Sequence, residues 1–145
     1  MPDRYHRGAR RADGAAARGD PQPAARLKLR PAHVRCTRFM LDRGLAGDRL
    51  DLETALVPCV IGYAVIAAER MADPATRLEA NRYREWLEMH AGAEYQGLAG
   101  EAEAALDQQF ARRGGEARFA ALAAAVSTAA RLEADFWQMG LAAAR

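Results

Sequence analysis

The chain has 145 residues and a mass of 15.8 kDa, room for one compact domain, and half of it is hydrophobic, which excludes wholesale disorder. The formal charge of +2 hides a split, because residues 1–30 carry eight basic and three acidic side chains (net +5) while residues 31–145 are net −3. The longest charge-free run, Thr54 to Ala68, falls short of the roughly 20 residues of a membrane span, and it contains Pro58.

Residues 1–30 combine Arg, Ala, Gly, Asp and Pro, with Met1, Leu27 and Leu29 as their only aliphatic side chains beyond Ala. Such a stretch cannot offset its ordering entropy by burial, so a disordered basic extension is expected there. Basic tails attract phosphate, but aromatic interleaving is absent apart from Tyr5, so nucleic acid is not the expected partner. No apolar signal segment opens the sequence, and a cytoplasmic protein with reduced thiols is expected. Cys36 and Cys59 make no disulfide framework, and the scattered His6, His33 and His90 suggest no metal cluster.

From Pro31 onward the signals are helical. Ala, Leu, Glu and Arg dominate, all strong helix formers. Five helices are predicted: about Ala32–Leu45, then a second from a cap at Asp48 or Asp51 to about Ala72, before Asp73-Pro74. A short third covers about Asn81–His90, a fourth about Ala93–Arg113, and a fifth, after Gly114-Gly115, about Glu116–Ala143.

The second and fifth helices carry the clearest periodicity. Leu52, Leu56, Cys59, Tyr63, Ile66 and Arg70 recur at spacings of three and four and predict one inward stripe. Leu122, Val126, Ala129, Glu133, Phe136 and Gly140 do the same and place a carboxylate among apolar neighbours. A charge there is costly unless paired or protonated. Glu133 is therefore either an ion-pair partner of an arginine on another helix or a carboxyl of perturbed pKa suited to proton transfer. A free Cys is commonly a core residue, but Cys59 lies one turn before Tyr63 on the same face. Thiol, phenol and carboxyl together suggest a small polar pocket inside an apolar bundle.

Three segments carry a resemblance. Leu56-Val57-Pro58-Cys59 followed by Gly62-Tyr63, then Tyr83-Arg84-Glu85-Trp86-Leu87, then Leu132-Glu133-Ala134-Asp135-Phe136-Trp137-Gln138-Met139 resemble the C-terminal half of TenA-type proteins, the thiaminase II or aminopyrimidine aminohydrolase family. The resemblance covers about residues 31–145. It implies an all-α, haem-oxygenase-like bundle, N-terminally truncated, in a helical domain spanning 31–145. It implies a hydrolase of aminopyrimidines in thiamin metabolism, some members also cleaving thiamin. On this resemblance Cys59 is the nucleophile, Glu133 the acid/base that binds the aminopyrimidine, Tyr63 a pocket residue hydrogen-bonded to the cysteine, and Phe136 a ring packing on the substrate. Cys36 and His90 stand where the family often has pocket tyrosines.

No metal and no organic cofactor is called for. The expected partner is a small aminopyrimidine or thiamin, with homo-oligomerisation over uncovered apolar surface and no membrane. The alternative is a catalytically inactive helical scaffold or pyrimidine-binding remnant that keeps the motifs without turnover.

Overall fold

The computed structural model describes residues 31–143, and the basic extension expected at 1–30 lies outside them. Five helices fill the described residues: α1 (Pro31–Ala46), α2 (Arg49–Ala72), α3 (Arg84–Ala91), α4 (Ala93–Arg113) and α5 (Glu116–Ala143). Four of the five predicted helices begin within about a residue of their expected positions. The short third helix starts later, at Arg84, because Leu78 to Tyr83 form turns in which Asn81 Oδ1 accepts from Tyr83 N at 2.9 Å.

Asp48 is the cap of α2. Its Oδ1 accepts from Leu50 N at 2.9 Å and Asp51 N at 3.3 Å, while Asp51 Oδ2 accepts from Asp48 N at 3.1 Å, a reciprocal capping box. Gly47 is required by this box, since a Cβ there would lie 2.3 Å from Asp51 Oδ2. At the α4–α5 turn Gly115 has φ +109°, a conformation that L side chains rarely adopt.

α2 is the central element, packed by α1, α3, α4 and α5, whereas α4 and α5 meet each other only where Phe110 and Phe119 touch edge-on and Arg118 donates to Arg113 O, beside their connecting turn. This central place changes the expected stripe. The buried residues of α2 are Leu50, Asp51, Thr54, Ala55, Ala64 and Ala67, whereas Leu52, Leu56, Cys59 and Tyr63 are half-buried and Ile66 and Arg70 exposed. Small side chains let four neighbours approach closely, so steric fit selects the buried positions over apolar period. The α5 stripe holds better, with Leu122 and Ala129 buried and Val126, Glu133 and Phe136 half-buried, but Gly140 is exposed.

Buried Asp51 is compensated from two directions. Arg43 Nη2 on α1 donates to Oδ1 at 2.6 Å, and Arg118 Nη2 on α5 donates to Oδ2 at 2.7 Å. Arg118 Nη1 also reaches Asp48 Oδ2 at 3.0 Å. One acidic pair thus ties α1 and α5 to the start of α2.

The charge-free run is short, but α2 as a whole, 24 residues with few charges, is long and apolar enough to cross a membrane by length and composition. Here it is the helix that the other four surround.

Candidate functional site

Glu133 on α5 projects toward α1 and α2. Its Oε2 accepts from the Tyr63 hydroxyl at 2.6 Å, and its Oε1 accepts from Cys36 Sγ at 3.0 Å. No ion pair among the described residues includes Glu133, so the arginine partner allowed from the sequence is replaced by two neutral donors. Such donors orient a carboxylate without cancelling its charge.

Cys59 lies one turn before Tyr63 on α2, and its Sγ donates to Leu56 O at 3.2 Å. The hydrogen bond that the resemblance implied from Tyr63 to Cys59 instead runs from Tyr63 to Glu133. Burial first, and then the nearby negative charge of Glu133, push the Cys59 thiol above its ordinary value of 9.0. Cys36 is pushed up to about 12 by burial and then by its bond to Glu133. Burial and the same carboxylate also raise the Tyr63 phenol. All three groups therefore hold their protons at neutral pH.

Aromatic rings brace Tyr63. Its edge meets Trp86 at 5.2 Å, His90 at 5.4 Å and Trp137 at 6.0 Å between ring centroids. His90, buried on α3, lies against Trp86 at 4.2 Å and Tyr95 at 4.3 Å. Its Nδ1 is 2.8 Å from Trp86 O, and a carbonyl can only accept, so the bond assigns a proton to Nδ1. Tyr95 on α4 donates to the carbonyls of Cys59 and Val60, each at 3.3 Å. All five helices thus contribute to one cluster: Cys36, Cys59 with Tyr63, His90, Tyr95 and Glu133.

A cleft of about 350 Å³ opens beside Tyr63, lined mainly by Tyr83, Trp86, Leu87, Trp137 and Leu141, with Arg70 and Asn81 also in its wall. Of the predicted site residues Tyr63 lines it, but Cys59 and Glu133 do not, and neither does Phe136. Phe136 packs toward α1, 5.8 Å from His33, and 6.2 Å from the Trp137 ring that does line the cleft. The structure therefore brings Glu133, Tyr63 and Cys59 together and leaves Phe136 out of the cleft wall. Sequence reasoning assigned no role to Trp86, Trp137 or Tyr95. The first two stand inside the quoted motifs, and no period or spacing marks Tyr95. Among the described residues no three His, Cys, Asp or Glu side chains gather as a metal site requires.

The TENA/THI-4/PQQC family model matches residues 20–143. A protein of Haemophilus influenzae without a described function is 34% identical over 110 residues, 76% of this chain and 50% of that protein. The aminopyrimidine aminohydrolase of Halalkalibacterium halodurans is 31% identical over 103 residues, 71% of this chain and 45% of that enzyme. The crystal structure of a TenA family transcription regulator from Silicibacter sp. superposes with a TM-score of 0.69 at 38% identity, covering 77% of this chain and 50% of that one. The chain thus spans about half the length of these relatives. The five-helix arrangement is the haem-oxygenase-like fold of TenA proteins, and the chain belongs to the TENA/THI-4/PQQC family.

Proposed function

We propose that this chain acts in the cytosol as a TenA-like hydrolase of aminopyrimidines, converting an aminomethyl-pyrimidine to the hydroxymethyl compound and ammonia in thiamin salvage. Cleavage of thiamin by the same chemistry belongs to the proposal. The observation that carries it is the Glu133 carboxylate, held by Tyr63 and Cys36 with no cation, in a cluster that includes Cys59. That is an arrangement for moving protons beside a nucleophile. The relative named aminopyrimidine aminohydrolase supports the substrate class.

In this reading Cys59 Sγ forms a bond to an electron-poor ring carbon while its proton passes through Glu133 to a ring nitrogen. Glu133 then takes the proton from that nitrogen, the ring electrons break the exocyclic C–N bond, and the amine leaves as ammonia with the proton. Water adds to the methylene carbon, its hydroxyl staying there and its proton returning to the ring through Glu133. The Sγ–C bond breaks last and the thiol regains its proton. The raised thiol makes Glu133 necessary, since Cys59 is protonated at rest and must lose its proton during attack. Phe136 packs against Trp137 in this proposal and shapes the pocket indirectly.

A catalytically silent pyrimidine-binding scaffold is the competing reading. It is favoured by Cys59 bonding to its own helix at Leu56 O. Assays with an aminomethyl-pyrimidine and with thiamin separate the two. Ammonia released from the aminomethyl-pyrimidine, or thiazole released from thiamin, by the wild type and lost in Cys59→Ala supports the hydrolase, and release of neither from a folded sample sinks it. Association of copies is part of the proposal, because Leu45, Leu98 and Phe119 are exposed, Leu45 at 84%.

A further inference from the structure

We propose that Cys36 is a positioning residue of this site, its thiol gripping Glu133 Oε1 while Tyr63 grips Oε2, so that two neutral donors on two helices fix the carboxylate's plane. The proposal rests on the hydrolase reading. A helical thiol ordinarily finds a carbonyl one turn back, as Cys59 does with Leu56 O at 3.2 Å. Cys36 instead reaches across 97 residues of sequence to a side chain, at 3.0 Å. It is 5% exposed, so neither water nor a ligand competes for the contact.

Two points of attachment stop rotation of the carboxylate about its last bond. Each oxygen keeps a second lone pair open, so Glu133 can still bind a ring proton. Neutral donors leave the negative charge in place, which a base needs and an arginine clamp would weaken. Burial keeps the Cys36 proton on sulfur, so it remains a donor throughout the physiological range. The two thiols then divide the work. In the hydrolase reading half-buried Cys59 meets the substrate, and buried Cys36 acts only through Glu133.

The test compares Cys36→Ala and Cys36→Ser, with folding checked by helical circular dichroism. The serine hydroxyl still donates, so Cys36→Ser is expected to keep kcat within about threefold, while Cys36→Ala loses about tenfold in kcat with KM within about twofold, the effect of one hydrogen bond to a charged acceptor. Equal activity of all three proteins overturns the proposal, and so does abolition in both variants, which would make Cys36 the nucleophile. A second measurement does not need turnover. In Cys59→Ala the only remaining thiol is Cys36, and its S–H stretching band in the infrared is expected below that of a thiol bonded to a backbone carbonyl, rising when Glu133→Gln is added. A band unmoved by Glu133→Gln overturns the contact. A wild type that releases neither ammonia from the aminomethyl-pyrimidine nor thiazole from thiamin removes the hydrolase reading, and the infrared band then decides the Cys36–Glu133 contact by itself.

Discussion

Tyr63 on α2 and Glu133 on α5 meet through a 2.6 Å hydrogen bond, the shortest side-chain link between the central helix and the C-terminal one. It is the point at which packing and chemistry share an atom. Tyr63→Phe keeps the ring against Trp86 and Trp137 and removes only the hydroxyl. The expected cost is about 1.5 kcal/mol of stability in urea titrations, the scale of a hydrogen bond to a charged group. In the hydrolase reading kcat also falls about tenfold. Unchanged stability together with unchanged kcat would remove Tyr63 from both roles.

Thiol reactivity gives an independent check. Burial and the Glu133 charge raise Cys59, so its thiolate fraction at neutral pH is below that of an unfolded reference. Iodoacetamide is therefore expected to label Cys59 more slowly in the native chain than in urea, and Cys36 more slowly again. Timed quenching and mass spectrometry of the two cysteine peptides measure this. Native labelling of Cys59 that outpaces the unfolded chain would mean a stabilised thiolate, which this site does not provide.

The helices were legible because turns punctuate them: Gly47-Asp48, Asp73-Pro74, Gly92 and Gly114-Gly115 all fall at element ends. The burial pattern of α2 was less so. Apolar period points to Leu52, Ile66 and Arg70, but a helix packed by four neighbours buries Thr54, Ala55, Ala64 and Ala67, and even Asp51 once Arg43 and Arg118 neutralise it. In the site, Glu133 stood out because a carboxylate on an apolar stripe demands an explanation. Cys36 was marked only by the resemblance, at a position where the family often has a pocket tyrosine, since a free thiol is often simply buried and its partner is 97 residues away. Phe136 and Trp137 adjoin in one motif, and only the rotation of α5 decides which ring lines the cleft.

Alkaline stability follows from the same groups. Cys36 rises from 9.0 in the ordinary thiol to about 12 in the folded chain, so between those values the folded state binds more protons than the unfolded one. Its contribution to stability is fully present below pH 9.0 and is lost progressively toward about 12. Cys36→Ser removes that titration, leaving those of Tyr63 and Cys59. Urea midpoints measured across the alkaline range are expected to fall less steeply in the variant. Parallel curves for the two proteins would show that Cys36 titrates alike folded and unfolded.

Asp51 carries the largest single structural risk. It is 8% exposed and accepts from Arg43, Arg118 and Asp48 N. Asp51→Ala leaves Arg43 and Arg118 facing each other across the α2 start with Asp48 alone to balance them. Breaking a buried pair from one side costs on the order of 3 kcal/mol, and a loss of that size is expected in urea titrations. Asp51→Asn keeps an oxygen for the capping box and is expected to fall between alanine and wild type.

The acid limb isolates the other member of that cluster. The Arg118 guanidinium, 3.0 Å from Asp48 Oδ2, is the main cause holding the Asp48 carboxyl at about 2 against an ordinary 3.8, with the N–H groups of Asp51 and Leu50 assisting. A depressed carboxyl binds protons less readily folded than unfolded. Its contribution is therefore present above pH 3.8 and disappears as pH falls toward about 2. Arg118→Met keeps the aliphatic stem and removes the chief cause of the depression. The variant is expected to be less stable than wild type near neutrality, the difference narrowing through the acid range as Asp48 takes up its proton in both chains. Thermal melts at a series of acidic pH values measure the narrowing. A gap of constant size at every pH would mean that Arg118 stabilises the α2–α5 junction by packing alone, with the Asp48 charge uninvolved.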